Sequence, residues 1–247
     1  MRAKARPRRG VFAADGRTVI VAMDHGAFGA GGPADPRAVI AAAAEGGGDA
    51  ILVSAEIAHA LPPAAALLDV VLRLDGLDAG GAVRLQHSVE EALAVGARGV
   101  GVMGVGGAGD QALALLRQEC VRLGVLLMVE IPGEDWDPRR LAAAVSANAD
   151  RGADFVKLPF VEPVSAFADI VRRCPVPAVV LGGARLADEA LLERVAAACA
   201  AGAAGVAIGR NVWQHVRPAR MVQALAAIVH DGAGIGAALH MLAGEPS

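Results

Sequence analysis

Short apolar runs alternate with longer alanine-rich stretches from one end of the chain to the other. TVIVAMD (18–24), AILVS (50–54), VVLRLDG (70–76), RGVGVMG (98–104), VLLMVE (125–130), DFVKL (154–158), PAVVLGG (177–183) and AGVAIGR (204–210) each read as a strand. Their Val/Ile/Leu positions run nearly unbroken, as expected of parallel strands buried on both faces. A helical pattern follows each run, the first three near 36–46, 55–67 and 88–95. Eight such units of about 31 residues, undivided by any Pro/Ser linker, predict an α/β chain folded as a single (β/α)8 TIM barrel over 1–247.

On a barrel the C-terminal ends of the strands converge on one mouth, where sites are built. The polar residues there are Asp24, Asp75, Glu130 and Lys157, with Gly182-Gly183 and Gly209-Arg210 ending the last two strands. Lys157 lies among Phe155, Val156 and Leu158, so its ammonium must snorkel to water or give up its proton. A free lysine has a pKa of about 10.4, and apolar burial can lower that by several units. The neutral amine could attack a ketone to form a protonated imine, an electron sink that weakens an adjacent C–C or C–H bond.

Such a cycle needs proton carriers, and Asp24 and Glu130 are placed to serve in a chain without tyrosine. As an acid, Glu130 would need its pKa raised by an apolar mouth. Gly182, Gly183, Gly209 and Arg210 form two loops suited to a phosphate, since glycine lets the main chain approach an anion and Arg210 adds a charge. His25 could contact a substrate hydroxyl, although neighbours on a strand face opposite ways. Each residue also has an ordinary reading: a snorkelling lysine, a turn carboxylate or a loop glutamate.

Composition narrows the partner. A net charge of −3 with 20% charged residues gives no nucleic-acid or membrane footprint, so the ligand expected is a small molecule. The basic residues within 1–10 read as a solvated, flexible tail. No run approaches the ~20 apolar residues of a membrane span, and the expectation is a soluble, cytoplasmic protein. Cys120, Cys174 and Cys199 are widely spaced and read as reduced thiols, while the six histidines show no ligand-pair spacing, so neither metal nor cofactor is expected. Small apolar helix faces such as VIAAAAEGGG and RVAAACAAGAAG point to a homo-oligomer.

The segments VIVAMDHGAFGAGGP, SVEEALAVGARGV, DFVKLPF, VVLGGAR and GAAGVAIGRNVWQH resemble, in order, landmarks of the class I aldolases that share the DeoC/LacD-like barrel, especially the archaeal-type fructose-bisphosphate aldolases. The resemblance implies Lys157 as the Schiff-base lysine, Asp24 as an active-site carboxylate and the Gly182-Gly183 and Gly209-Arg210 loops as a phosphate site. One position departs from it. Aligned on Pro132, the catalytic tyrosine of the archaeal-type enzymes is Ile131 here, whereas LLMVEIPGED is similar to the branch of tagatose-bisphosphate and sulfofructose-phosphate aldolases, which places a glutamate at the end of strand five. The resemblance implies a metal-independent aldolase acting on a phosphorylated ketose or keto-acid, with Glu130 in the tyrosine's place. Thiolase-like acyl transfer, isomerase chemistry and a catalytically silent binding barrel remain open, because one fold supports many reactions.

Overall fold

The computed structural model describes residues 8–60, 68–104, 110–133 and 135–244. Eight parallel strands, each paired with the next in sequence, close into a barrel. They are β1 (Thr18–Met23), β2 (Ala50–Val53), β3 (Asp69–Arg73), β4 (Gly99–Met103), β5 (Leu126–Glu130), β6 (Phe155–Leu158), β7 (Ala178–Leu181) and β8 (Gly205–Ile208). Around them run α1 (Pro36–Glu45), α2 (Ala55–Ala60), α3 (Val89–Ala94), α4 (Asp110–Leu123), α5 (Pro138–Asp150), α6 (Val164–Arg173), α7 (Asp188–Ala200), α8 (Arg210–Trp213), α9 (Pro218–Asp231) and α10 (Ile235–Ala243). No described helix is long and apolar enough to cross a membrane.

The strand side chains divide between two apolar layers. Val19, Val21 and Met23 of β1 join the large cluster against the helices, while Ile20 and Ala22 join a smaller cluster along the barrel axis. A Cβ on Gly101 would lie 2.8 Å from the Met128 side chain and 3.4 Å from that of Leu52, so the absence of a side chain here leaves space that Met128 fills. Gly205 is more constrained: its φ is +144°, and a Cβ would stand 1.9 Å from the Thr18 carbonyl oxygen across the β8–β1 seam. Gly205→Ala should therefore destabilise the fold by roughly 3 kcal/mol or more, read as a large fall in melting temperature.

Local sequence sets the helix starts. Asp35 and Asp137 cap α1 and α5, each ahead of a proline, and Ser88 with Glu91 forms a capping box on α3. Two boundaries differ from the expectation. The third strand ends at Arg73 rather than at residue 76, because residues 75–77 turn into a hairpin with 83–85. The basic tail is shorter: residues 1–7 lie outside the described residues, but residues 8–9 pair with 12–13. There Val11 is fully buried and Phe12 meets Phe155 edge to face at 5.2 Å, closing the lower end of the barrel. The second helix is described to Ala60, and the remainder of its expected span, 61–67, lies outside the described residues. The cysteines are free thiols, and burial pushes that of Cys120 up to about 11.

Candidate active site

Lys157 and Glu130 are direct partners in the β5–β6 ladder, so both side chains point to the barrel axis at the same height. Lys157 Nζ lies 2.9 Å from Glu130 Oε1, and the two residues are only 6% and 7% exposed. They form the floor of a mouth cavity of about 200 Å³ whose wall also includes His25, Gly182, Gly183, Gly209 and Arg210. Most of the residues expected at the site thus share one cavity, with Asp24 just behind its wall.

The link to Asp24 is Arg73, which the sequence reading passed over. Its guanidinium is 1% exposed and donates to Asp24 Oδ2 from Nε at 2.8 Å and from Nη2 at 2.6 Å. Nη2 also bonds Glu130 Oε2, and Nη1 lies 3.5 Å from Asp75 Oδ1. Phe28 covers the group, its ring centre 5.4 Å from the guanidinium carbon. Asp75 accepts from the Met103 N–H at 2.7 Å. The signal for Arg73 was the same as for Lys157, a lone cation inside an apolar run, in VVLRLDG.

This network fixes the charge states. Burial alone would push the carboxyls of Asp24 and Glu130 up. Arg73 and Lys157 outweigh it at both, so both are held below their ordinary values. The expectation that the mouth raises Glu130 towards neutrality is therefore reversed: it has two cationic partners, not an apolar wall. Asp75 is the carboxyl that burial does push up, against the pull of Arg73 and the Met103 N–H. Arg73 itself is driven further above its usual range, because Asp24, Glu130 and Asp75 outweigh the burial that would lower it.

His25 reaches the mouth with Asp24 because β1 ends at Met23 and a 3-10 turn, His25–Phe28, begins; the strand alternation no longer applies. Its Nδ1 lies 3.9 Å from Asp24 Oδ1, and its ring packs edge to face on Trp213 at 5.7 Å. Burial holds its pKa below the ordinary value despite Asp24, so the imidazole is neutral at pH 7. Gly209 makes this possible, since a Cβ there would stand 2.6 Å from His25 Cε1. Trp136 bonds the Pro132 carbonyl through Nε1 at 2.9 Å. Glu56 is exposed on α2 and outside the cavity.

The loops after β7 and β8 are joined by Asn211, a second residue the sequence reading missed. Its Nδ2 donates to the carbonyls of Gly182 and Ala184 at 3.2 and 3.0 Å, and its Oδ1 accepts from the Leu186 N–H at 2.8 Å. Arg210 bonds the Gly183 carbonyl through Nη2 at 3.1 Å, and its buried Nε has no hydrogen-bond partner among the described residues. Gly183 takes φ +63°, which turns the loop back over the cavity. Ile131 is fully buried in the outer layer and bonds the Lys157 carbonyl through its N–H at 2.8 Å. Its side chain belongs to the packing beneath the helices, and Glu130, one residue earlier, is the one that faces inward.

Fold and site together define a TIM barrel with an amine–carboxylate pair at the base of its mouth. Residues 18–215 match the DeoC/LacD family aldolases, and the chain belongs to that family. It is 33% identical over 241 residues to the 2-amino-3,7-dideoxy-D-threo-hept-6-ulosonate synthase of Halobacterium salinarum, covering 91% of each chain. Over 166 residues it is 40% identical to the 2-amino-4,5-dihydroxy-6-oxo-7-(phosphonooxy)heptanoate synthase of Streptomyces griseus, a match that covers 62% of this chain and spans 61% of that relative. An archaeal fructose-1,6-bisphosphate aldolase, solved with its catalytic lysine covalently bound to the carbinolamine intermediate of its substrate, matches with a TM-score of 0.78 at 27% identity, over 89% of this chain and 96% of that one.

Proposed function

We propose that the protein is a class I aldolase that makes or breaks a C–C bond in a phosphorylated ketose or keto-acid through an imine on Lys157. The observation that carries this reading is the 2.9 Å contact between Lys157 Nζ and Glu130 Oε1 on the floor of a cavity rimmed by Arg210. Glu130 takes a proton from the Lys157 ammonium, and the freed amine adds to the substrate ketone, whose oxygen becomes the carbinolamine hydroxyl. Protonated Glu130 then returns its proton to that hydroxyl, water leaves, and an iminium remains with Glu130 again ionised. In the cleavage direction a carboxylate, Asp24 or Glu130, takes the proton of the substrate hydroxyl beyond the bond that breaks, and the electron pair flows into the iminium to give an enamine. Neutral His25 is positioned to hydrogen-bond a substrate hydroxyl. Arg210 with the main chain of Gly182, Gly183 and Gly209 would hold the phosphate. The Streptomyces griseus relative supports this reading as the synthase of a phosphorylated dihydroxy-oxo acid, and the carbinolamine-bound aldolase by its covalent lysine.

The test is borohydride reduction in the presence of dihydroxyacetone phosphate and a chelator, followed by intact mass and peptide mapping. The chain has two lysines, Lys4 and Lys157, so the assignment is clean. A stable adduct on Lys157 is expected, with no need for a metal because the iminium serves as electron sink. Binding without an adduct would turn the reading to acyl transfer or isomerisation, with Lys157 as an electrostatic clamp; no binding would favour a silent barrel.

We further propose that the chain self-associates. Leu77, Leu85, Leu93, Leu115 and Val121 are 39–61% exposed on the 75–77/83–85 hairpin, α3 and α4, and an outer groove of about 580 Å³ runs between Leu85 and Leu115. A second copy of the chain is the occupant proposed. A sedimentation mass near 24.9 kDa at micromolar concentration would overturn it.

A further inference from the structure

A buried pair of opposite charges raises a question when one partner changes charge during its work. When the Lys157 nitrogen is neutral and Glu130 has not taken its proton, as in an enamine formed with the hydroxyl proton on Asp24, Glu130 would be left as an unpaired carboxylate in the barrel interior, a costly state. Arg73 answers it. Its guanidinium bonds Glu130 on the oxygen that Lys157 does not use, Oε2 rather than Oε1, and it also holds Asp24 by two hydrogen bonds. It cannot be deprotonated, and its planar fork fixes the angle between the two carboxylates.

We propose that Arg73 is the positioning residue of this site: it locks Asp24 and Glu130 into one rigid unit beside Lys157 and serves as the standing counter-ion of Glu130 whenever Glu130 is ionised beside a neutral Lys157 nitrogen. This inference rests on the imine reading for its place in catalysis, but its electrostatic content stands without any substrate. The titratable and charged groups facing the network are Asp24 from the end of β1, the neutral His25 from the turn that follows, Asp75 beyond β3, Lys157 on β6 and Arg210 after β8. Arg73 bonds both Asp24 and Glu130, and with Lys157 it keeps those two carboxylates ionised together. Phe28 fits this role by covering the guanidinium.

The experiment follows the Glu130 carboxyl by NMR in protein labelled with δ-13C glutamate, its signal assigned by loss in Glu130→Gln, across pH in the wild type, Arg73→Gln and Arg73→Lys. In Arg73→Gln the midpoint should rise by about 1–3 pH units, the size of one close guanidinium. In Arg73→Lys, which keeps a charge but loses the fork, the midpoint should stay near the wild-type value. There kcat should fall roughly 10- to 100-fold with KM little changed, because the carboxylates are no longer held at a fixed angle. An unmoved midpoint in folded Arg73→Gln would overturn the counter-ion role. An Arg73→Lys protein indistinguishable from wild type in kcat would overturn the positioning role, and this arm holds even if the glutamine variant fails to fold. Should the midpoint move while the wild type yields no borohydride adduct on Lys157, the aldolase reading falls and the counter-ion role of Arg73 stands.

Discussion

Lys157→Ala should abolish borohydride trapping and lower turnover by on the order of 10⁴–10⁶-fold, the range seen when a nucleophile that defines the reaction path is removed. Among the described residues that line the cavity Lys157 is the one lysine, so no other of those side chains offers a primary amine. The fold should survive, since Glu130 keeps its bond to Arg73 when Lys157 is gone. Lys157→Met, which retains most of the buried stem, separates lost packing from lost chemistry: both variants should melt near each other and both should be inactive. Measurable turnover in either, with an intact melting transition, would mean that Lys157 acts as a clamp rather than a nucleophile.

Glu130→Gln should cost roughly 10²–10⁴-fold in kcat, the usual contribution of a positioned acid or base, because the amide keeps the shape and removes the titrating proton. The pH sign follows from the direction of its shift. Held below the ordinary glutamate value by Lys157 and Arg73, Glu130 is ionised in the free enzyme at neutral pH, ready to accept a proton from the ammonium. Activity that depends on its ionised form is present above the depressed pKa and lost as pH falls through it. An acid limb in kcat/KM should therefore be present in the wild type and absent in Glu130→Gln. Stability has the same sense: Asp24 and Glu130 both have depressed folded pKa values, so their contribution is complete above the unfolded carboxylate range near 4 and disappears on acidification below it. Near wild-type turnover in the glutamine variant would pass the proton-carrying role to Asp24.

The barrel was legible in the sequence because strands buried on both faces leave nearly continuous apolar runs, and all eight of them lie within the expected spans apart from a single residue at the start of β3. Lys157 and Glu130 were legible for a related reason, as charges ending or interrupting those runs. Arg73 carried the same mark but was hidden by Asp75 two residues on, which looked like the strand's terminal carboxylate. What decides between them is register: Arg73 faces the axis opposite Gly101, whereas Asp75 already belongs to the hairpin. Neither the hairpin nor the turn that brings His25 to the mouth has a hydrophobic period to announce it. Asn211 could not be found by reading along the chain, because its meaning lies in three main-chain atoms contributed by residues 182–186.

That last contact bears on how such a barrel could be re-engineered. The proposed chemistry would be anchored in the ladder between β5 and β6, where the lysine and glutamate are held by the sheet, while the rim that would choose the substrate hangs on the seventh and eighth loops. Those two loops are not separate modules. A graft that imported residues 182–186 without 209–211, or the reverse, would strand two carbonyls and one N–H that Asn211 now satisfies, each worth about 1–3 kcal/mol if left buried and unpaired. Substrate preference in this scaffold should accordingly be transplanted as a two-loop cassette, inherited whole or not at all.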